Sequence, residues 1–152
     1  MEAKRVAYSA SESISFPTPG MFNNTASLHG GELFKMIDDI GGVAAMRHAE
    51  TDVVTASVGW LKFVSPVVQG EFVIMKSSVQ AVGRSSLEVG VRVEAEDVLK
   101  KEKRHVATCY LTYVAVDKAG RSKEVPPLIL ETEIERERNR QAEERKRLRA
   151  GK

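Results

Sequence analysis

The sequence predicts an α+β fold: one long helix packed across a sheet of about five mostly antiparallel strands, with a charged helix at the C-terminus. Three observations lead there. Between Gly31 and Arg47 the apolar residues Leu33, Met36, Ile37, Ile40 and Ala44 recur at helical spacing and mark one face of roughly four turns. After that the period changes to two, most cleanly where Leu87, Val89, Val91, Val93 and Ala95 alternate with Glu88, Gly90, Arg92, Glu94 and Glu96. From Glu131 onward, charges of both signs crowd a segment with few apolar residues.

Taken in order, Arg5 to Ser15 is polar and weakly alternating, and reads as an edge strand. Phe16 to Thr25 holds Pro17, Pro19, Gly20, Asn23 and Asn24 and reads as a loop. The helix follows. Val54, Ala56, Val58 and Trp60 then alternate, predicting a strand that buries these four and turns Thr55 and Ser57 the other way. Glu71 to Val82 and Arg104 to Asp117 are rich in β-branched and aromatic residues, and Gly70, Gly83, Arg84 and the segment from Asp117 to Ser122 punctuate them. One strand, one helix and then four strands cannot build a repeated parallel βαβ architecture, so the helix packs on one face of an antiparallel sheet. Pro126 and Pro127 close the body. Glu131 to Arg149 reads as an exposed helix, with Glu133/Arg136, Glu135/Arg138 and Glu137/Arg140 pairs at i, i+3. The expected division is a domain of residues 1–130 and a charged helical tail of residues 131–152.

A chain of 152 residues fits one domain, and its 42% hydrophobic and 29% charged residues are those of a globular protein. There is no apolar run of the roughly 18 to 20 residues that a spanning helix needs, and Met1 to Ser15 lacks the apolar stretch of a secretory signal. The expected location is the cytoplasm, with no membrane partner. Cys109 is the single cysteine, which excludes an internal disulfide and a cysteine-rich metal cluster; it reads as a small buried hydrophobe. The net charge of +2 resides in the tail, since residues 131–152 hold 8 basic and 6 acidic side chains while the body balances.

The chemistry-bearing residues gather around the helix. His29-Gly30-Gly31 runs straight into it, so backbone N–H groups at its positive end can face an oxygen that develops negative charge, although Gly-Gly before a helix is also ordinary turn chemistry. Asp38 lies two turns in, on a face shared with Gly31, Phe34, Gly41, Gly42 and Ala45. Each helical glycine costs about 1 kcal/mol, so Gly41 and Gly42 imply close packing by a partner helix or a ligand. A carboxylate there is either partly desolvated, and a better base, or exposed beside Asp39. Asn23 either holds a water or a carbonyl or serves the turn. Gly83-Arg84-Ser85-Ser86 suits a phosphate or a solvated hairpin. His29, His48 and His105 lack ligand spacing, and no GxSxG elbow or P-loop occurs, so metal, serine-triad and nucleotide-hydrolysis chemistries have no support.

Read as a set, Asn23, the run from Leu28 to Leu33, Lys35 to Asp39, Met46 to Ala49 and Val53 to Val58 closely resemble the cytosolic acyl-CoA hydrolases of the hotdog-fold thioesterase superfamily. Phe63-Val64-Ser65-Pro66, Gly70, Gly83 to Val89, Tyr113 to Asp117, Val125 to Pro127 and Glu131 to Glu133 continue that resemblance in order, so it covers most of residues 15 to 135. It implies a hotdog fold, a long helix wrapped by an antiparallel sheet, and hotdog dimers assembled into a hexamer as a trimer of dimers. It also implies hydrolysis of acyl-CoA to fatty acid and CoA, with coenzyme A as part of the substrate and no separate cofactor.

By the same resemblance the catalytic carboxylate falls on Asp38, as general base or nucleophile, and the catalytic Asn on Asn23, supplied by a different subunit. Thr55 is the supporting threonine, the Gly31 N–H an oxyanion donor, and Arg84, Ser85 and Ser86 the CoA-binding candidates. The chain departs from the family at Ala26, where many members carry glycine, and at Met21 and Phe22, where polar residues are frequent. Other readings are a non-catalytic hotdog acyl-CoA sensor, since fold does not fix function, and a hotdog dehydratase using His29. A nucleic-acid-binding tail is a further reading, disfavoured because its charges alternate in sign without aromatics.

Overall fold

The computed structural model describes residues 1–151. In chain order the elements are β1 (Lys4–Arg5), α1 (Val6–Ser9), β2 (Ser11–Ser15), α2 (Gly30–Ala49), β3 (Asp52–Phe63), β4 (Phe72–Val82), β5 (Ser86–Asp97), β6 (Glu102–Val116), β7 (Leu128–Ile129) and α3 (Glu133–Ala150). Five strands form one antiparallel sheet in the order β2–β4–β5–β6–β3, and β1 and β7 make a short parallel pair. The α+β class and strand count expected from the periodicity are present. The N-terminal stretch differs: Val6–Ser9 turns into a short helix against α2, burying Val6 and Ser9, and only Ser11–Ser15 joins the sheet, at its edge.

Helix α2 starts where the His29 side chain accepts from Gly31 N and stops where Glu50 takes the left-handed conformation, φ 56°, and donates its N–H to Met46 O. Its buried stripe of Leu33, Ile37 and Ala44 meets the inner face of the sheet. That face consists of Val73, Met75 and Val79 of β4, Leu87, Val89, Val91, Val93 and Ala95 of β5, and Cys109, Leu111, Tyr113 and Ala115 of β6. The alternation read along β5 is thus the observed one, and each fully buried aliphatic contributes about 1.5–3 kcal/mol. Burial pushes the Cys109 thiol up to about 12, so it packs as an inert apolar group. His48 is fully buried at the end of α2, its Nε2 2.8 Å from Pro126 O.

Strand β3 departs from the simple alternation. Its pairing with β6 slips between Thr55 and Ser57 and again between Val58 and Trp60, leaving Ala56 and Gly59 as bulge residues. Directly opposed residues share a face, so Val53, Thr55, Val58, Leu61 and Phe63, paired with Ala115, Tyr113, Leu111, Cys109 and Ala107, look toward α2, and Trp60 looks outward with Tyr110. The expected face of Val54, Ala56, Val58 and Trp60 is therefore corrected: Thr55 belongs to the inner side. Because β3 is also a sheet edge, Val54, Val58 and Trp60 remain 50%, 44% and 46% exposed in the single chain.

Helix α3 is not the freely solvated rod its composition suggests. Thr132 caps it by accepting from Glu135 N, and the Glu133/Arg136 and Glu137/Arg140 pairs form, whereas Glu135 bonds back to Glu131 N instead of pairing with Arg138. The helix lies against β4, with Ala142 only 1% exposed. Asn139 donates to Gln80 O at 2.9 Å, and Arg145 donates to the buried Glu88 carboxylate at 3.0 Å while its guanidinium sits 3.7 Å over the Tyr110 ring. The docking stripe is mostly polar, so no apolar period betrays it.

Candidate active site

The central side chain is Asp38, half-buried on the flank of α2 that faces β3 and β6. Thr55 Oγ1 donates to its Oδ1 at 2.8 Å, and Tyr113 Oη lies 2.9 Å from Asp38 O and 3.0 Å from Oδ1. Thr55 and Tyr113 are direct cross-strand partners, so one rung of the sheet delivers both hydroxyls to one carboxylate. Tyr113 is 1% exposed, and burial followed by the charge of Asp38 raises its phenol well above the usual range, which keeps it a donor.

Of the two mid-helix glycines, Gly41 has a steric reason, whereas a Cβ on Gly42 would make only an ordinary 3.8 Å contact with the Tyr113 ring. A Cβ on Gly41 would stand 2.5 Å from Tyr113 Oη and 3.3 Å from Cζ. What passes close there is the tyrosine of the chain's own β6, rather than the partner helix or ligand expected from sequence. Tyr113 is the site residue that sequence reasoning overlooked. Its signal was the pairing of a helical Gly-Gly with an aromatic residue on an otherwise aliphatic strand face.

The other expected residues fall elsewhere. Asn23 Oδ1 is engaged inside its own loop, accepting from Thr25 N at 3.0 Å, Thr25 Oγ1 at 2.7 Å and Ser27 Oγ at 3.2 Å. In that loop Ala26 adopts φ 63°, a left-handed conformation that costs a non-glycine residue about 1 kcal/mol. The Gly31 N–H donates to His29 Nδ1 at 3.1 Å. Seven residues of helix separate Gly31 from Asp38, about 10 Å of rise, so within one chain the Gly31 N–H and the Asp38 carboxylate do not meet on a single carbonyl. Beside Gly30 opens an apolar groove of about 420 Å³, walled by Leu28, Leu33, Phe63, Val64 and Val67.

The hairpin of Arg84, Ser85 and Ser86 begins one rung from the site, since Leu87 is paired with Tyr113. Its backbone is committed: Gly83 N donates to Ser86 O at 2.8 Å, Ala115 N to Ser85 O at 2.8 Å and Val125 N to Arg84 O at 2.9 Å. Its side chains are available, Arg84 being 86% exposed and loosely paired with Glu124, and Lys146 of α3 adds a second cation beside Gly83. Among the described residues no cluster of His, Cys, Asp and Glu could hold a metal ion, and no helix is long and apolar enough to cross a membrane.

A long helix laid on an antiparallel sheet, with a carboxylate held on the face between them, defines the class: a hotdog domain of the kind found in thioesterases. Residues 26–101 match the Thioesterase superfamily model. The chain is 42% identical over 113 residues to the uncharacterized acyl-CoA thioester hydrolase YkhA of Bacillus subtilis, covering 74% of this chain and 66% of that protein, just under two thirds of its length. Among solved structures, an apo-hexameric acyl-CoA thioesterase superposes with a TM-score of 0.96 at 32% identity, covering 99% of this chain and 97% of the other. The acyl-CoA hydrolase of Staphylococcus aureus, in complex with butyryl coenzyme A, coenzyme A and coenzyme A disulfide, superposes with a TM-score of 0.91 at 32% identity, covering 98% and 91%. Structures are also known of that enzyme with an Asp, an Asn or a Thr changed to alanine. The chain belongs to the thioesterase superfamily.

Proposed function

We propose that the protein hydrolyses acyl-CoA thioesters to a free acid and coenzyme A. The observation that carries this reading is the Asp38 carboxylate, fixed at 2.8 Å by Thr55 on the inner face of a hotdog sheet. The Asn, Asp and Thr altered in the Staphylococcus aureus hydrolase follow one another at intervals of 15 and 17 residues, the same intervals that separate Asn23, Asp38 and Thr55 here, which supports the same roles.

In the reaction, Asp38 takes a proton from water as the water oxygen bonds to the thioester carbon, or it bonds to that carbon itself and is released by water afterwards. The C–S bond then breaks, and the sulfur leaves with the electron pair and is protonated as the CoA thiol. The carbonyl oxygen gathers negative charge at the start of a helix, where the Gly31 N–H, released from His29, is the donor. Asn23 orients the water or the carbonyl. The acyl chain lies in the groove beside Gly30, while Arg84, Ser85 and Ser86 receive the nucleotide end of CoA.

Because Gly31 and Asp38 are about 10 Å apart along one helix, a complete site takes Asp38 and Thr55 from one protomer and Asn23 and Gly31 from another. The unpaired outer edge of β3, with exposed Val54 and Val58, is the surface over which two copies join. The assembly is a hexamer, a trimer of hotdog dimers, acting in the cytoplasm. Residues 1–130 form the catalytic unit and residues 131–152 its charged tail.

Release of free thiol from acyl-CoAs of increasing chain length, by the wild type, Asp38→Ala and Asn23→Ala, tests this. Loss of at least about 100-fold in kcat is expected for Asp38→Ala, the lower range for removing a catalytic base. Full activity in that variant would refute the mechanism, and acyl-CoA binding without any thiol release by the wild type would make the protein a sensor.

A further inference from the structure

We propose that Tyr113 is the positioning residue of Asp38, and that its hydroxyl and that of Thr55 together occupy Oδ1, leaving Oδ2 as the oxygen that takes the proton or attacks the thioester. This deepens the hydrolytic reading above and rests on it.

Geometry makes the case. Each carboxylate oxygen has two lone pairs in its plane, and Oδ1 has two hydroxyl neighbours, Thr55 Oγ1 at 2.8 Å and Tyr113 Oη at 3.0 Å. Among the described residues Oδ2 receives no hydrogen bond. Tyr113 also lies 2.9 Å from the Asp38 carbonyl, so its single O–H hydrogen is shared between that carbonyl and Oδ1 and holds the side chain in one rotamer against its own backbone. A carboxylate held by two hydroxyls reaches the reacting geometry without losing rotational freedom on the way.

The helix is built to admit this contact. A methyl at Gly41 would stand 2.5 Å from the hydroxyl but 3.3 Å and 3.4 Å from the ring carbons, so the hydroxyl is the atom the glycine accommodates. In a purely structural role, phenylalanine would fill the same space without the hydroxyl, and Gly41 would be spared its conformational cost.

The titratable groups around the carboxylate are Tyr113 and Cys109 from β6 and Asp39 on its own helix, with the neutral Thr55 from β3. Loss of the Tyr113 hydroxyl frees the carboxylate to leave its reacting geometry, which lowers kcat and leaves KM nearly unchanged.

The experiment compares the wild type, Asp38→Ala, Tyr113→Phe, Gly41→Ala and the double variant Gly41→Ala/Tyr113→Phe, following thiol release across a range of acyl-CoA concentrations. Tyr113→Phe is expected to lose about tenfold in kcat with KM within about twofold. Gly41→Ala, which keeps the ring and displaces the hydroxyl, is expected to lose at least as much, and the double variant to fold more stably than Gly41→Ala alone because the 2.5 Å clash has gone. An inactive Asp38→Ala beside a Tyr113→Phe variant with wild-type kcat overturns this proposal alone. Should Tyr113→Phe fail to fold, wild-type kcat in Gly41→Ala overturns it equally. Activity retained in Asp38→Ala removes the role of Asp38 on which this proposal rests, while hydrolysis itself stands.

Discussion

Replacing Arg145 with alanine should undock helix α3 while leaving the sheet folded. The Glu88 side chain is only 6% exposed, and Arg145 reaches it at 3.0 Å and 3.3 Å. Removing one partner of a fully buried ion pair costs about 3–5 kcal/mol. Here Arg145 is itself 22% exposed and Arg149 remains 3.8 Å from Glu88, so the electrostatic part falls to about 2 kcal/mol. Losing the guanidinium from the Tyr110 ring adds about 0.5–1 kcal/mol. At tenfold per 1.4 kcal/mol, a sum of about 2.5–3 kcal/mol predicts roughly 60- to 140-fold faster amide exchange across residues 139–149. Hydrogen–deuterium exchange by mass spectrometry reads this directly, with limited trypsin cleavage after Arg138 and Arg140 as a second measure. Adding Glu88→Gln should restore part of the protection, because a neutral amide no longer strands a charge. Wild-type protection of α3 in Arg145→Ala would refute the reasoning.

Two further outcomes follow from the same structure. Burial holds the His48 imidazole below its ordinary value near 6.5, against the raising influence of the Pro126 carbonyl. The unfolded chain therefore takes up the proton first: the stability due to neutral His48 is complete above pH ~6.5 and falls below it, by up to about 1.4 kcal/mol per pH unit. Urea midpoints between pH 7.5 and 5.5 should show that slope in the wild type and a flatter one in His48→Gln; equal slopes would contradict it. Val58→Lys, on the open edge of β3, should reduce the mass measured by light scattering and abolish thiol release while Asp38 is intact; a wild-type chain that runs as an active monomer would contradict the shared site.

Much of this fold was legible because burial imposes a period. Strand β5 reads correctly from Leu87 to Glu96 since one of its faces is wholly apolar and the other wholly polar or glycine, and α2 reads correctly because Leu33, Ile37 and Ala44 form its buried stripe. What escaped was governed by forces that leave no such period. Helix α3 is held through Asn139, Ala142 and Arg145, three residues apart, which in composition look like any solvated face. In β3, bulges at Ala56 and Gly59 interrupt the alternation, and glycine or alanine in a strand does not by itself announce them. Around the site, Asp38 and Thr55 are found together, whereas Asn23 and Gly31 lie in another part of the same chain. Tyr113 stands 75 residues beyond Asp38, a separation across which no local pattern acts.

The two bulges of β3 have a consequence best put as parity. Each inserts one residue, so together they cancel: Leu61 and Phe63 keep the odd-numbered inward phase of Val53 and Thr55, and only Ser57 and Val58 between them are exchanged. Straightening one bulge with no residue removed would invert everything after it, sending Leu61 and Phe63 outward and Trp60 and Lys62 toward the helix. Straightening both would restore the faces but slide Leu61 from Cys109 to Ala107 along β6. Deleting Ala56, by contrast, removes the extra residue itself and leaves every later pair where it is. The strand thus carries a compensated frameshift, which turns Val58 rather than Ser57 toward the helix without moving Thr55 from Asp38.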